Sequence, residues 1–166
     1  MLHLIRGLPG SGKSTFAKSE YFGGMLHLEN DQYWIDPNGQ YKFDEKRYLN
    51  APSFTYLMCE TALQNHVNVV VSCVFVRKSS VQKYIDLAKK YNSAITIWRM
   101  TGNFGTSHNV PQGTLAEMKK NFEELDYPEN IVETVKSVPY RIVATTVPSS
   151  ERKVINPQQT KEETKQ

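Results

Sequence analysis

Gly7-Leu8-Pro9-Gly10-Ser11-Gly12-Lys13-Ser14 sets glycines, a lysine and a hydroxyl at the spacing G-x-x-x-x-G-K-[ST]. The chemistry open to such a set is the gripping of a polyphosphate. Glycines let the backbone bend until successive N–H groups point inward at an anion. Lys13 can then reach the β- and γ-phosphates of a nucleoside triphosphate, and the Ser14 hydroxyl can ligate Mg²⁺. Gly7, Leu8, Pro9, Gly10, Ser11, Gly12, Lys13, Ser14 and Thr15 are therefore the candidate nucleotide-binding residues, with ATP and Mg²⁺ as the expected cofactors. Asp31 is the second point of chemistry. A carboxylate there could take a proton from an attacking hydroxyl, or hold the Mg²⁺ shell through water. Its plainer alternative is a strand-end cap. Lys13 and Asp31 stand as the catalytic candidates, and Ser14 and Asp31 as the metal-binding ones.

Those residues need elements to hold them. The apolar run Leu2-His3-Leu4-Ile5 reads as a short buried strand before the glycines, and Lys13 to Ser19 as the helix after them. Met25 to Leu28 reads as a second strand that delivers Asn30 and Asp31 at its C-terminal end. Asp36-Pro37-Asn38-Gly39 is a turn signal. Asp44 is placed to cap a helical stretch reaching about Asn65, with Pro52 marking a break or kink. Val67 to Val76 carries the most apolar run and is expected to be the central strand. A helix capped by Ser79 or Ser80 follows, with Val81, Tyr84, Ile85, Leu87 and Ala88 on one face. Ala94 to Trp98 is a further strand, and the helix after Pro111 carries Leu115, Met118, Phe122 and Leu125. A short helix around Ile131 to Lys136 and a last strand from Tyr140 to Val147 close the reading.

Alternating strands and helices predict a three-layer α/β/α phosphate-loop nucleoside-triphosphatase (P-loop NTPase) fold with a mainly parallel central sheet. The domain is expected over residues 1–147, and residues 148–166, polar and mixed in charge, are expected to be a disordered tail. Ligands of such sheets bind at the C-terminal strand ends. The exit of the Val69-Val70-Val71 run, Ser72-Cys73-Val74-Phe75, has no carboxylate where many phosphate-loop enzymes place one. Ser72 could meet a metal-bound water, although packing is the commoner fate of a strand serine. Arg77 and Lys78 read best as a solvated helix entry. Thr101 to Asn109 lies where a lid would close, yet offers Asn103, Thr106, Ser107 and His108 rather than Arg or Lys. Arg99 is the nearest cation to stand in for a lid arginine; Arg6 is expected to make a structural pair.

Composition fits this picture. A chain of 166 residues, 39% hydrophobic and 22% charged, suits one globular domain. A formal charge of +3 is too mild to announce nucleic acid by itself. Cys59 and Cys73 lack metal-ligand spacing and are expected to be buried thiols. No apolar stretch is long enough to span a bilayer, Met1-Leu2 runs straight into the first strand without a signal-peptide pattern, and a reducing cytoplasm is the expected setting.

Ile5 to Thr15 resembles the kinase domain of the phage polynucleotide kinase family, and is closer still to the polynucleotide-kinase-like AAA-type ATPase domains of phage and bacterial chains. Asp31-Gln32-Tyr33 lines up with the family's D-D-[YF], and Gly39-Gln40-Tyr41-Lys42-Phe43-Asp44 with its G-x-Y-x-F-D segment. Leu87-Ala88-Lys89-Lys90-Tyr91 is similar to the helix after the central strand, and His108-Asn109-Val110-Pro111 to the H-x-V-P that opens the lid helix. The likeness covers about residues 1–125. It implies that Asp31 is the general base activating a nucleic-acid 5′-hydroxyl, while Lys13 and Ser14 hold triphosphate and magnesium. The chain departs from the pattern where Gln32 replaces a second acid, Trp34 an arginine and Pro52 a histidine. Ser72-Cys73-Val74-Phe75 replaces a polar D-T-N or N-T-N stretch, and the lid arginines are absent.

Three functions remain open on the sequence. The first is an ATP-dependent kinase with a nucleic-acid 5′-hydroxyl as favoured acceptor, along which Lys89, Lys90, Lys119 and Lys120 could track a backbone. The second is a small-molecule kinase whose pocket Tyr33, Trp34 and Tyr41 could line. The third is a nucleotide-binding or adaptor protein without transfer, favoured by the apolar Cys73-Val74-Phe75.

Overall fold

β1, Leu2–Arg6, is buried at every residue, as a strand covered on both faces must be. The computed structural model describes residues 1–105 and 110–134. β2 is Leu26–Leu28, β3 Val69–Ser72, β4 Ile95–Met100 and β5 Asn130–Val132. Among the described residues these form one five-stranded sheet in the order β2-β3-β1-β4-β5, with every neighbouring pair parallel. The helices are α1 (Lys13–Ala17), α2 (Asn50–Gln64), α3 (Lys78–Lys90) and α4 (Gln112–Lys120).

Strand alternation sorts the core into two layers. Leu2, Leu4, Val69, Val71, Ile95 and Ile97 pack with residues of α2 and α3 on one face. Ile5, Val70, Trp98 and Met100 pack with Phe16 of α1 and with Phe22 on the other. The expected three-layer α/β/α arrangement is therefore the observed one. On the α1 face Phe16 meets Phe22 and Trp98 edge-on, with ring centroids 4.9 and 5.2 Å apart. Trp98 Nε1 donates to His3 Nδ1 at 3.2 Å, and burial, with the nearby N-terminal charge, pushes the His3 pKa down to about 4. His3 is thus a neutral acceptor inside the core.

Several boundaries differ from the sequence reading. The central strand is β1, and the Val69–Val71 run lies one place out, between β1 and β2. Asp44 caps only a single 3₁₀ turn, Glu45–Arg47, by accepting the Lys46 N–H at 3.0 Å. Pro52 does not break α2; it occupies the first turn, where no intrahelical donor is lost. Neither Ser79 nor Ser80 caps α3, since both lie inside its first turn, and the Lys78 N–H donates instead to Glu123 Oε2 at 2.7 Å. The face of α3 is buried as expected at Val81, Tyr84, Ile85, Leu87 and Ala88. Ile131 begins no helix. It belongs to β5, whose Asn130, Ile131 and Val132 register against Trp98, Arg99 and Met100. The proposed strand Tyr140 to Val147 and the tail 148–166 lie outside the described residues. No helix among the described residues is long and apolar enough to cross a membrane.

Candidate active site

The glycine loop leaves the end of β1 and enters α1. Gly7 has φ +154°, and a Cβ there would lie 2.5 Å from Ser11 Oγ and 2.6 Å from the Met100 carbonyl oxygen. Only glycine fits that close approach. Gly12, at φ +91°, is the left-handed residue from which α1 starts, with the Phe104 ring against its bare Cα. Lys13 folds back over the loop, donating from Nζ to the Leu8 carbonyl at 2.9 Å. Burial pushes its pKa down to about 8, against the pull of Cys73, Asp31 and Glu29 toward the charged form.

β2 ends at Leu28, and a 3₁₀ turn, Asn30–Trp34, follows. That turn is locked by a reciprocal pair: Gln32 N–H donates to the Glu29 carbonyl at 3.2 Å, and Glu29 N–H donates to Gln32 Oε1 at 3.3 Å. Gln32 Nε2 also donates to the His27 carbonyl at 3.0 Å. The residue that replaces an acid in the resembled motif is thus a brace. Asp31 faces the cleft, with the Tyr41 hydroxyl as a hydrogen-bonding neighbour; burial and then the Asp31 charge raise the pKa of that phenol.

Glu29, which the sequence reading passed over, touches the loop serine directly. Ser14 Oγ donates to Glu29 Oε2 at 2.7 Å. Lys18 Nζ, one turn further along, is 3.7 Å from Glu29 Oε1. Ser72 Oγ donates to the same Oε2 at 3.4 Å and lies 2.7 Å from His27 Nε2. The register explains the meeting. His27 pairs with Val70 and Ser72 with Ile5, so alternation turns these side chains toward the α1 side of the sheet with Val70 and Ile5. A signal existed in the sequence, since Glu29 follows His27 by the strand period of two. It meant nothing without the strand order.

A cleft of about 1220 Å³ opens over these groups. Pro9, Gly10, Gly12, Lys13, Ser14, Thr15 and Asp31 line it, while Gly7, Leu8 and Ser11 shape the loop without lining it. Tyr41, Phe43 and Phe104 form its aromatic rim, and Ser72, Cys73 and Val74 its wall. Phe43 and Phe104 were missed in the sequence because nothing local ties either to the loop; the Phe104 N–H donates to the Gly10 carbonyl at 2.9 Å. Trp34 does not line the cleft. It is buried, edge-on to Tyr33 and Phe43.

The cations considered earlier go elsewhere. Arg99 pairs with Glu124 and stands 3.9 Å from Glu129, under the Phe122 ring, and is absent from the cleft lining. Arg6 is fully buried, donates to the Glu123 carbonyl at 2.8 Å and lies 3.5 Å from Glu129, a structural pair as expected. Lys90 pairs with Glu60, in the last turn of α3 that leads to the N-terminal end of β4, at the end of the sheet opposite the loop. Lys119 and Lys120 end α4 and are exposed. Lys78 pairs with Asp126 at the helix entry. Thr106, Ser107, His108 and Asn109 lie outside the described residues.

Comparison with known proteins bears on this geometry. An uncharacterized protein of Pasteurella multocida (strain Pm70) is 30% identical, over 70% of this chain and 73% of that protein. Human NEDD4-binding protein 2 is 28% identical over 55% of this chain, which spans only 5% of that protein. Kti12 of Chaetomium thermophilum, solved in complex with ADP-AlF3, superposes with a TM-score of 0.59 at 12% identity, covering 83% of this chain and 95% of that one. An unliganded sugar kinase from Janibacter sp. HTCC2649 gives 0.58 at 12% identity, over 82% of this chain and 88% of that one. At such identities the two structures show a shared α/β phosphate-loop kinase-like fold. A family model described as an AAA domain matches residues 2–102, from β1 through the end of β4. The chain belongs to the AAA domain family.

Proposed function

We propose that this chain binds ATP and transfers its γ-phosphoryl group to a hydroxyl, with a nucleic-acid 5′-hydroxyl as the favoured acceptor. The observation that carries the reading is the convergence of Lys13, Ser14 and Asp31 on one cleft at the C-terminal ends of the strands. Lys13 releases the Leu8 carbonyl and turns its ammonium to the β- and γ-phosphates. The glycine loop supplies backbone donors to the same oxygens. Asp31 accepts the acceptor's proton as that hydroxyl oxygen bonds to the γ-phosphorus. The bond from that phosphorus to the bridging oxygen breaks, and ADP leaves with the electron pair.

The donors around Ser14 are a hydroxyl and carboxylates, all oxygens, and this set suits Mg²⁺. When bound there with ATP, the ion would neutralise charge on the phosphates. Ser14 and a carboxylate of the cleft would hold it.

Tyr41, beside Asp31, and Phe43, further along the same cleft, are 47% and 56% exposed and favour a nucleic-acid end, because such rings offer stacking faces for a base next to the reacting hydroxyl. A binding role without transfer is the second reading, and the apolar wall at Cys73 and Val74 favours it. The deciding assay incubates the protein with γ-labelled ATP, Mg²⁺ and a 5′-hydroxyl oligonucleotide, with nucleosides and sugars in parallel. Label on the oligonucleotide supports the favoured acceptor. Label on a small molecule moves the acceptor class, and binding of ATP with no transfer to any acceptor supports the second reading.

A further inference from the structure

The end of β3, where an acid would ordinarily steady the cation, carries Ser72 and then Cys73. The vacancy in the pattern is filled from the next strand outward. Glu29 reaches across Ser72 to accept the Ser14 hydroxyl proton at 2.7 Å, so the loop serine is fixed by a carboxylate of β2's exit. We propose that Glu29 is the carboxylate that completes the divalent-cation site with Ser14, and that His27 and Ser72 hold it in place. The proposal rests on the nucleotide-binding reading above and assigns its metal chemistry to a particular pair of groups.

Hydrogen-bond accounting supports the direction of each contact. Ser72 has one hydroxyl proton, which points to Glu29 Oε2 at 3.4 Å. In the tautomer that carries its proton on Nε2, His27, 2.7 Å from the same Ser72 oxygen, donates into it. In that tautomer the chain runs from His27 N–H to Ser72 O–H to Glu29, with Ser14 O–H arriving at the carboxylate from the other side. Ser14 gives its single proton to Glu29 and keeps lone pairs for a cation. Lys18 at 3.7 Å balances Glu29 without occupying the serine. Asp31, two residues on in the 3₁₀ turn, is then left to the acceptor hydroxyl. The two acids of the Glu29-Asn30-Asp31 segment divide the work of metal and proton.

Calorimetry separates this from a merely structural contact. ATP affinity is measured with Mg²⁺ and again with the metal chelated, for wild type, Glu29→Gln, Ser72→Ala and Asp31→Asn, each checked for folding by thermal unfolding. The expected wild type binds ATP more tightly with Mg²⁺. Glu29→Gln should lose that enhancement by about tenfold or more, while metal-free ATP affinity is kept or improved because a negative charge near the phosphates is gone. Ser72→Ala should raise the Mg²⁺ concentration giving half-saturation by roughly tenfold at unchanged metal-free affinity. Asp31→Asn should keep the enhancement within about threefold. Should Glu29→Gln prove unstable, Ser72→Ala and Mn²⁺ binding followed by electron paramagnetic resonance carry the test. An undiminished enhancement in Glu29→Gln, or its loss in Asp31→Asn instead, overturns the assignment while leaving the nucleotide site intact. A wild type that binds no ATP under either condition overturns the nucleotide-binding reading itself, and the assignment with it.

Discussion

Lys13 Nζ lies 2.9 Å from the Leu8 carbonyl oxygen, so the loop's lysine closes on the loop's own backbone, and burial holds its pKa near 8. A triphosphate would favour the ammonium and lift that pKa, so binding above pH 8 must take up a proton. ATP affinity is expected to be flat below pH 8 and to fall above it by up to about tenfold per pH unit. Calorimetry at pH 8.5 in buffers of different ionisation enthalpy measures the proton uptake directly. Lys13→Ala should weaken binding and flatten the profile together; a slope surviving in that variant would assign the titration to another group.

Asp31 lies at the cleft with Tyr41 as neighbour, on a turn that Gln32 braces independently of the Asp31 side chain. Asp31→Asn is therefore expected to leave ATP affinity within a few-fold and lower transfer on the order of a hundredfold to ten-thousandfold. Single-turnover transfer measured beside ATP binding checks this. Unchanged turnover would remove Asp31 from the proton-transfer role.

Gly7 admits no side chain. A methyl group would meet Ser11 Oγ at 2.5 Å and the Met100 carbonyl at 2.6 Å, on backbone at φ +154°. Gly7→Ala should cost roughly 2–4 kcal/mol by urea unfolding and should impair ATP binding by displacing the loop from β4. A variant as stable as wild type with full ATP affinity would contradict the geometry.

Arg6 and Glu129 form a buried pair beneath the Phe122 ring, with Arg6 4.1 Å from the ring centroid. Burial raises the Glu129 pKa, against the pull of Arg6 and Arg99 toward ionisation. Arg6→Ala leaves Glu129 buried with its nearest partner gone and should cost on the order of 3–5 kcal/mol, read by chemical unfolding. Arg6→Ala together with Glu129→Leu should recover part of that loss. Equal instability of the single and double variants would show that the cost came from packing against Phe122 alone.

The phosphate loop was legible in the sequence because its chemistry is local: residues 7–15 must be adjacent to wrap one anion, and their types are dictated by backbone bend and charge. The parallel three-layer fold was legible for a related reason, since strands buried on both faces and amphipathic α3 leave their periodicity in the chain. Short elements were not. Asn130–Val132 has too few residues to declare a period, and only pairing with Trp98, Arg99 and Met100 makes it a strand. Pro52 reads as a break or kink, yet α2 starts at Asn50 and holds it in the first turn. Arg99 carries the right charge at the right strand end, yet Glu124 and Glu129 take it from the cleft. Glu29 and Ser14 meet across 15 positions of sequence. The sequence by itself determined the glycine loop and the layered sheet. Only the strand order, which sets β3 between β2 and β1, decided which acid meets the loop serine, because that contact depends on spatial neighbours that no local spacing encodes.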